Sequence, residues 1–259
     1  MASGLATPML DFFRRGEVAR DVRMMAAQGA LAPRPLEQLG ILMVLTSDSD
    51  GEIRQTAEET LKLLPGEVLS SFIARADTPS DIREFFLKRG ADPNAAPAPD
   101  TDQPLLDTDQ SGLDLEGNTE EEKAQTFQQR LAGMTVPEKV KCASKGTREM
   151  RGVLIRDPNR MVAAAVLSCP KVNEAEVEAF AKMGNVSEEI LRTIAMSRAW
   201  TKSYGVLLAL VKNSKTPVAL SINMMQRLND SDVKKLSTDR NVPEALRAFA
   251  RRKVVAGQQ

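Results

Sequence analysis

Apolar residues recur along this chain every three or four positions, in short bursts divided by polar breaks. The stretch "SDGEIRQTAEETLKLL" carries Ile53, Ala57, Leu61 and Leu64 at i, i+4, i+8 and i+11, which is one face of a helix. Asp50 stands ahead of it as an N-cap, Glu52 enters its first turn, and Pro65-Gly66 ends it. Upstream, "PLEQLGILMVLTSD" predicts a helix crowded with Leu36, Leu39, Ile41, Leu42, Met43 and Leu45. Downstream, "EVLSSFIARA" predicts a shorter one. "TPSDIREFFLKRG" predicts another, opened by Thr78-Pro79 and closed by Gly90.

The C-terminal half repeats this grammar. Its pattern predicts helices over 148–156, 160–168, 174–183, 187–196, 200–212, 217–226, 231–236 and 243–253. The separators hold Gly, Pro, Asn, Asp or Ser, which stop one helix and cap the next. No run alternates as a strand does. Helices of about ten residues are too short to stand alone, so they must stack on neighbours. "MVLTSDSDGEIRQTAEETLKLLP" at Met43 and "GVLIRDPNRMVAAAVLSCP" at Gly152 share one order: apolar helix end, break centred on Asp, second helix. At a constant offset of 109, Leu45 meets Leu154, Asp48 meets Asp157, Ile53 meets Val162 and Phe85 meets Ile194. Recurrence of this kind is expected where each helix pair cannot bury its stripe alone.

Composition narrows the picture. With 42% hydrophobic but only 4% aromatic residues, a core must be built from Leu, Ile, Val, Ala and Met. Two cysteines, Cys142 and Cys169, make no disulfide framework and read as reduced, buried thiols. The absence of histidine excludes Ser-His-Asp and Cys-His catalysis and every His-ligated metal site. No phosphate-binding glycine loop is present. The acidic runs "EEEK" at Glu120 and "NEAEVEAF" at Asn173 read as solvated helix faces rather than catalytic pairs. No catalytic residue, cofactor or metal is therefore expected. No window reaches the roughly 18 apolar residues of a membrane span, and the N-terminal charges follow the apolar part, so a cytoplasmic location is expected.

Charge divides the chain. Residues 1–90 carry −2, residues 91–122 carry −10 with no Lys or Arg, and residues 123–259 carry +12. The middle, rich in Pro, Ala and Asp, predicts a disordered acidic linker over 91–118. It would join an N-terminal helical-repeat module, 1–90, to a basic helical-repeat module, 119–259. Two apolar spots inside it, "PLL" at Pro104 and "LDL" at Leu113, read either as incidental leucines or as short docking motifs. An acidic segment tethered to a basic module is also expected to lie over it and compete with an anionic partner.

"DGEIRQTAEETL" resembles the second helix of a HEAT-type repeat through Asp50, Ile53, Arg54, Ala57 and Leu61. "LIRDPN", "MGNVSEEILRTIA", "WTKSYGVLLALVKNSKTP" and "TDRNVPEALR" are similar to the HEAT-like or leucine-rich-variant helical repeats of uncharacterised bacterial proteins. The pattern departs at Ala163, where Arg would stand. The resemblance implies an all-α fold, an α-solenoid of short repeats in two modules, and a non-enzymatic protein-binding adaptor or scaffold. The basic C-terminal region keeps nucleic acid as the alternative partner. Trp200 and Tyr204, the only Trp and Tyr, lie four apart and read as wedges between helical units or as recognition anchors beside Arg198 and Lys202. Lys212, Lys215, Arg240, Arg247 and Arg251 complete the candidate partner-binding surface. Met24-Met25 and Met224-Met225 read as core fillers, and Asn213 and Asn241 as helix-end and turn residues.

Overall fold

A computed structural model of the chain describes residues 8–31, 34–99, 101, 103, 105–106, 129–131 and 133–256. All regular structure among them is helical. The elements are α1 (Pro8–Arg15), α2 (Arg20–Ala27), α3 (Pro35–Leu45), α4 (Gly51–Lys62), α5 (Gly66–Ile73), α6 (Ser80–Lys88), α7 (Val136–Lys145), α8 (Arg148–Leu154) and α9 (Arg160–Ser168). They continue as α10 (Glu174–Lys182), α11 (Glu188–Met196), a 3-10 turn (Trp200–Lys202), α12 (Tyr204–Lys212), α13 (Val218–Met225), α14 (Asp230–Leu236) and α15 (Glu244–Ala256). No helix of the described residues is long and apolar enough to cross a membrane. The chain forms two compact units, one up to Leu154 with Met161–Pro170, the other Ile155–Arg160 with Lys171 onward.

In the first unit α3 is central. Nine of its eleven residues are buried, as the crowded apolar text requires, and it packs on α1, α2, α4 and α6. Gly40 permits the crossing: a Cβ there would lie 2.9 Å from Leu10 Cδ2 and 3.1 Å from Ile82 Cδ1. α4 forms as its stripe dictates. The Asp50 carboxylate accepts from the Glu52 N–H, and Ile53, Ala57 and Leu61 turn inward. α7, which the apolar pattern does not mark, opens with a capping box of Thr135 and Glu138 and packs against α2, grouping it with the N-terminal helices. Met24 and Met25 are half-buried.

Of the acidic segment 91–118, residues 91–99, 101, 103, 105 and 106 are described, and "LDL" at Leu113 lies outside the described residues. The described part lies on the first unit. Asp92 N–H donates to Ser70 Oγ at 2.9 Å, Ala98 N–H to Ser71 O at 2.8 Å, and Arg75 Nη1 to Pro99 O at 2.9 Å. The physical reason is local: this stretch is mostly Ala and Pro, its acids are sparse, and Ala91 is buried.

In the second unit three helix pairs recur. The first helices are α10, α12 and α14, with N-caps Asn173, Ser203 and Asn229; the second helices are α11, α13 and α15. Cap-to-cap spacing is 30 and then 26 residues, and the entries to the second helices, Ser187, Pro217 and Pro243, repeat the same two steps. Core positions follow in register: Val177, Leu207 and Val233; Phe180, Leu210 and Leu236; Val186, Thr216 and Val242, all buried. α10 packs on α12, α12 on α13, α13 on α15, and α14 on α15. Met224 and Met225 fill this core.

Candidate interaction surface

The break between helices is built on short Asx turns. Asp48 Oδ1 accepts from Asp50 N–H at 2.8 Å, and Asp157 Oδ1 accepts from Asn159 N–H at 2.8 Å. Asn213 Oδ1 accepts from Lys215 N–H at 3.0 Å, and Asp239 Oδ1 accepts from Asn241 N–H at 2.9 Å. Asn213 also reaches across pairs, its Nδ2 donating to Ala181 O at 2.8 Å and Met183 O at 3.0 Å. It thereby clasps the last carbonyls of α10, which have no partner inside their own helix.

These long-range bonds fix the direction of the helices. Asn213, just past the end of α12, meets the end of α10, so these two run parallel. Tyr204, the first residue of α12, donates its hydroxyl to Asp232 Oδ2 at 2.6 Å in the first turn of α14, so α12 and α14 run parallel too. Lys253 Nζ donates to Met225 O at 3.0 Å, joining the far ends of α15 and α13. The turns at 183–187, 213–217 and 237–243 consequently lie along one edge of the second unit.

The candidate cations sort by edge. Lys212, Lys215 and Arg240 stand at the turn edge, exposed and without an ion-pair partner among the described residues. Arg198 and Lys202, also exposed and unpaired, lie beside the 3-10 turn at the opposite edge. Arg247 and Arg251 are occupied: both reach the Glu244 carboxylate, and Arg251 Nε donates to Ser237 O at 3.2 Å. Arg227 Nη2 likewise donates to Thr201 O at 2.6 Å. Part of the basic excess thus holds helix ends together, where a cation meets the negative end of a helix.

The aromatic pair is split. One helix over 200–212 was expected; Ser203 instead leaves helical geometry at φ −69° and ψ 121°, so Trp200 sits in the 3-10 turn and Tyr204 begins α12. Ser203 takes the N-cap position of α12 through its extended backbone, without a side-chain cap hydrogen bond. Trp200 is half-buried, while Tyr204 is 41% exposed with its hydroxyl engaged. The Tyr204 hydrogen bond, reinforced by Lys235, holds the Asp232 carboxyl below its ordinary range. A cleft of about 340 Å³ between α10 and α12 is lined by Glu178, Lys182, Gly205, Leu208, Lys212 and Asn213. Its carboxylate is taken up by Lys182 Nζ at 2.5 Å.

The expectation for "NEAEVEAF" changes at one position. Glu176 is buried rather than solvated, because its carboxylate accepts from the Asn173 N–H and completes a capping box. Cys142 and Cys169 are unpaired and buried, and burial pushes the Cys142 thiol up to about 11. No cluster of metal-ligating side chains occurs among the described residues. No protein family, curated protein or solved structure matches this chain.

Proposed function

We propose that the chain is a non-enzymatic scaffold, an α-solenoid of short HEAT-like pairs that binds a protein carrying an acidic segment. The observation behind this reading is a group of cations with no ion-pair partner among the described residues, Lys212 and Lys215 at one turn and Arg240 at the next. Parallel stacking of helix pairs repeats whatever a turn carries at regular intervals, which suits an extended partner. Unpaired cations on a folded edge attract and orient an anionic partner, and the attraction fades with salt. The half-buried Trp200 and the engaged Tyr204 leave few faces on which bases could stack, which favours protein over single-stranded nucleic acid.

The test is the triple variant Lys212→Glu, Lys215→Glu, Arg240→Glu in the full chain. The intact protein should bind poly-glutamate and capture acidic proteins at low salt; the variant should lose at least about tenfold in poly-glutamate affinity with its thermal midpoint unmoved. Equal affinity in both proteins refutes the edge as the binding surface. Preferential, salt-steep binding of the intact chain to duplex DNA or RNA would transfer the same cations to phosphate recognition.

A further inference from the structure

Gln38 is a polar residue inside the largely buried helix α3, and it is 1% exposed. A glutamine amide has one acceptor oxygen and two N–H donors, and each left unmade in a dry site is costly. Gln38 satisfies them outside its own helix. Its Nε2 donates to Gly29 O at 2.9 Å and to Leu106 O at 2.8 Å, while its Oε1 accepts from Leu106 N–H at 3.0 Å. Two of the three bonds therefore go to one residue, 68 positions away, in the acidic segment.

The pattern has a specific meaning. A residue that offers its N–H and its C=O to the same neighbour is making the paired contact of an antiparallel strand. Gln38 takes the place of the neighbouring strand, so the contact reads main chain in extended form. Shape adds a side-chain preference. Gly29, at φ +79°, closes α2, and a Cβ there would lie 3.2 Å from Leu106 Cβ and 3.4 Å from Thr60 Cγ2. Glycine thus serves the helix end and clears the seat of the leucine. Leu105 and Leu106 are half-buried there. The bonds from Ser70, Ser71 and Arg75 to residues 92–99 bring the segment to within a few residues of the seat.

We propose that the first unit is a receptor for an extended, leucine-bearing peptide, and that Leu105-Leu106 of the same chain is its resident occupant. The unit carries a peptide site that its own acidic segment keeps closed. The short span from Pro99 to Leu106 places the occupant at an effective concentration in the millimolar range, so a second peptide enters only when the resident is removed. This site is separate from the cationic edge of the second unit.

The experiment uses full chains and a fluorescein-labelled peptide of residues 101–109, read by anisotropy. Leu106→Pro removes the N–H that Gln38 accepts, and it lies outside every helix, so the fold is preserved, as circular dichroism checks. The Leu106→Pro chain should bind the labelled peptide at least about tenfold more tightly than the intact chain. Adding Gln38→Leu to it should abolish the gain, and Gln38→Glu, which keeps the acceptor but loses the donors, should weaken it. In the intact protein the Leu106 amide should exchange hydrogen at least about tenfold more slowly than an unstructured amide. Equal peptide binding by the intact and Leu106→Pro chains, or undiminished binding after Gln38→Leu, overturns the proposal. A dimeric intact chain that becomes monomeric on Leu106→Pro would overturn the cis assignment, making a second copy the occupant.

Discussion

Replacing Asn213 by alanine should destabilise the second unit selectively. The side chain is 8% exposed and makes three hydrogen bonds, two to carbonyls at the end of α10 and one to the Lys215 N–H. Lys215 and Met183 are reachable by water, so losing those two bonds costs about 0.5–1.5 kcal/mol each. Ala181 is fully buried, and its carbonyl left without a partner costs about 1–3 kcal/mol. The total is about 2–6 kcal/mol. Trp200, the only tryptophan, lies in the second unit and reports on it alone by fluorescence. With a urea m-value of about 1.5 kcal/mol/M, the midpoint should fall by roughly 1.3–4 M. Asn213→Asp sharpens the test. It keeps the acceptor for Lys215 but turns a carboxylate toward two carbonyl oxygens. Burial and those dipoles raise the carboxyl pKa in the folded state, so the folded protein binds the extra proton, and stability should recover as pH falls. A midpoint shift below about 0.3 M for Asn213→Ala, or an Asn213→Asp loss independent of pH, would refute the clasp.

Three further outcomes follow from the geometry. Gly146→Ala should lower the thermal midpoint sharply, because its Cβ would strike the Cys142 carbonyl and the Met150 side chain, whereas Gly66→Ala, with open space around it, should be near neutral. Both thiols should resist a disulfide reagent at pH 8 in the native protein and react in denaturant, since both are buried and Cys142 titrates only at about 11; rapid native labelling of either would contradict the packing. The Arg89 hydrogen bond holds the Glu58 carboxyl below its ordinary range, so the stability it adds is complete above roughly pH 5 and is lost as pH falls through the unfolded and then the lowered folded pKa. Glu58→Gln should flatten that acid limb in a thermal-midpoint titration, more so at low salt.

What could be read beforehand depended on how local the determining interactions were. The stripe from Ile53 to Leu64 announced α4 because its cap, its face and its stop all sit in one stretch of text. The Asp48 and Asp157 turns were visible for the same reason, since each carboxylate binds the N–H two residues on. α9 is buried on every side, so its periodicity shows no face. α7 lacked a clear stripe but did carry a signal, Thr135 three residues before Glu138. The 30- and 26-residue steps stayed hidden because the second helices open with Ser187, Pro217 and Pro243, and because Ser221 stands where its neighbours have Leu191 and Arg247. Asn213 showed its local turn but not its reach across pairs. The Gln38 seat was beyond sequence reading altogether: a glutamine amid leucines names no partner, and Leu106 lay in text whose composition argued against order.

The placement of α3 sets a rule for how each unit tolerates editing. α3 gives its surface to α1, α2, α4 and α6 at once, so no subset of those helices can shed water from its apolar side without it. That unit should assemble and melt as a single event, and trimming either side of it should leave only unfolded chain. In the second unit each helix leans on its next neighbours. Removing the last pair, α14 and α15, uncovers a flank of α12 and α13 but leaves the bonding of α10, α11 and α12 intact. A natural or designed version could therefore grow or shrink by whole pairs at that end, altering the reach of the cationic edge while leaving the leucine seat untouched.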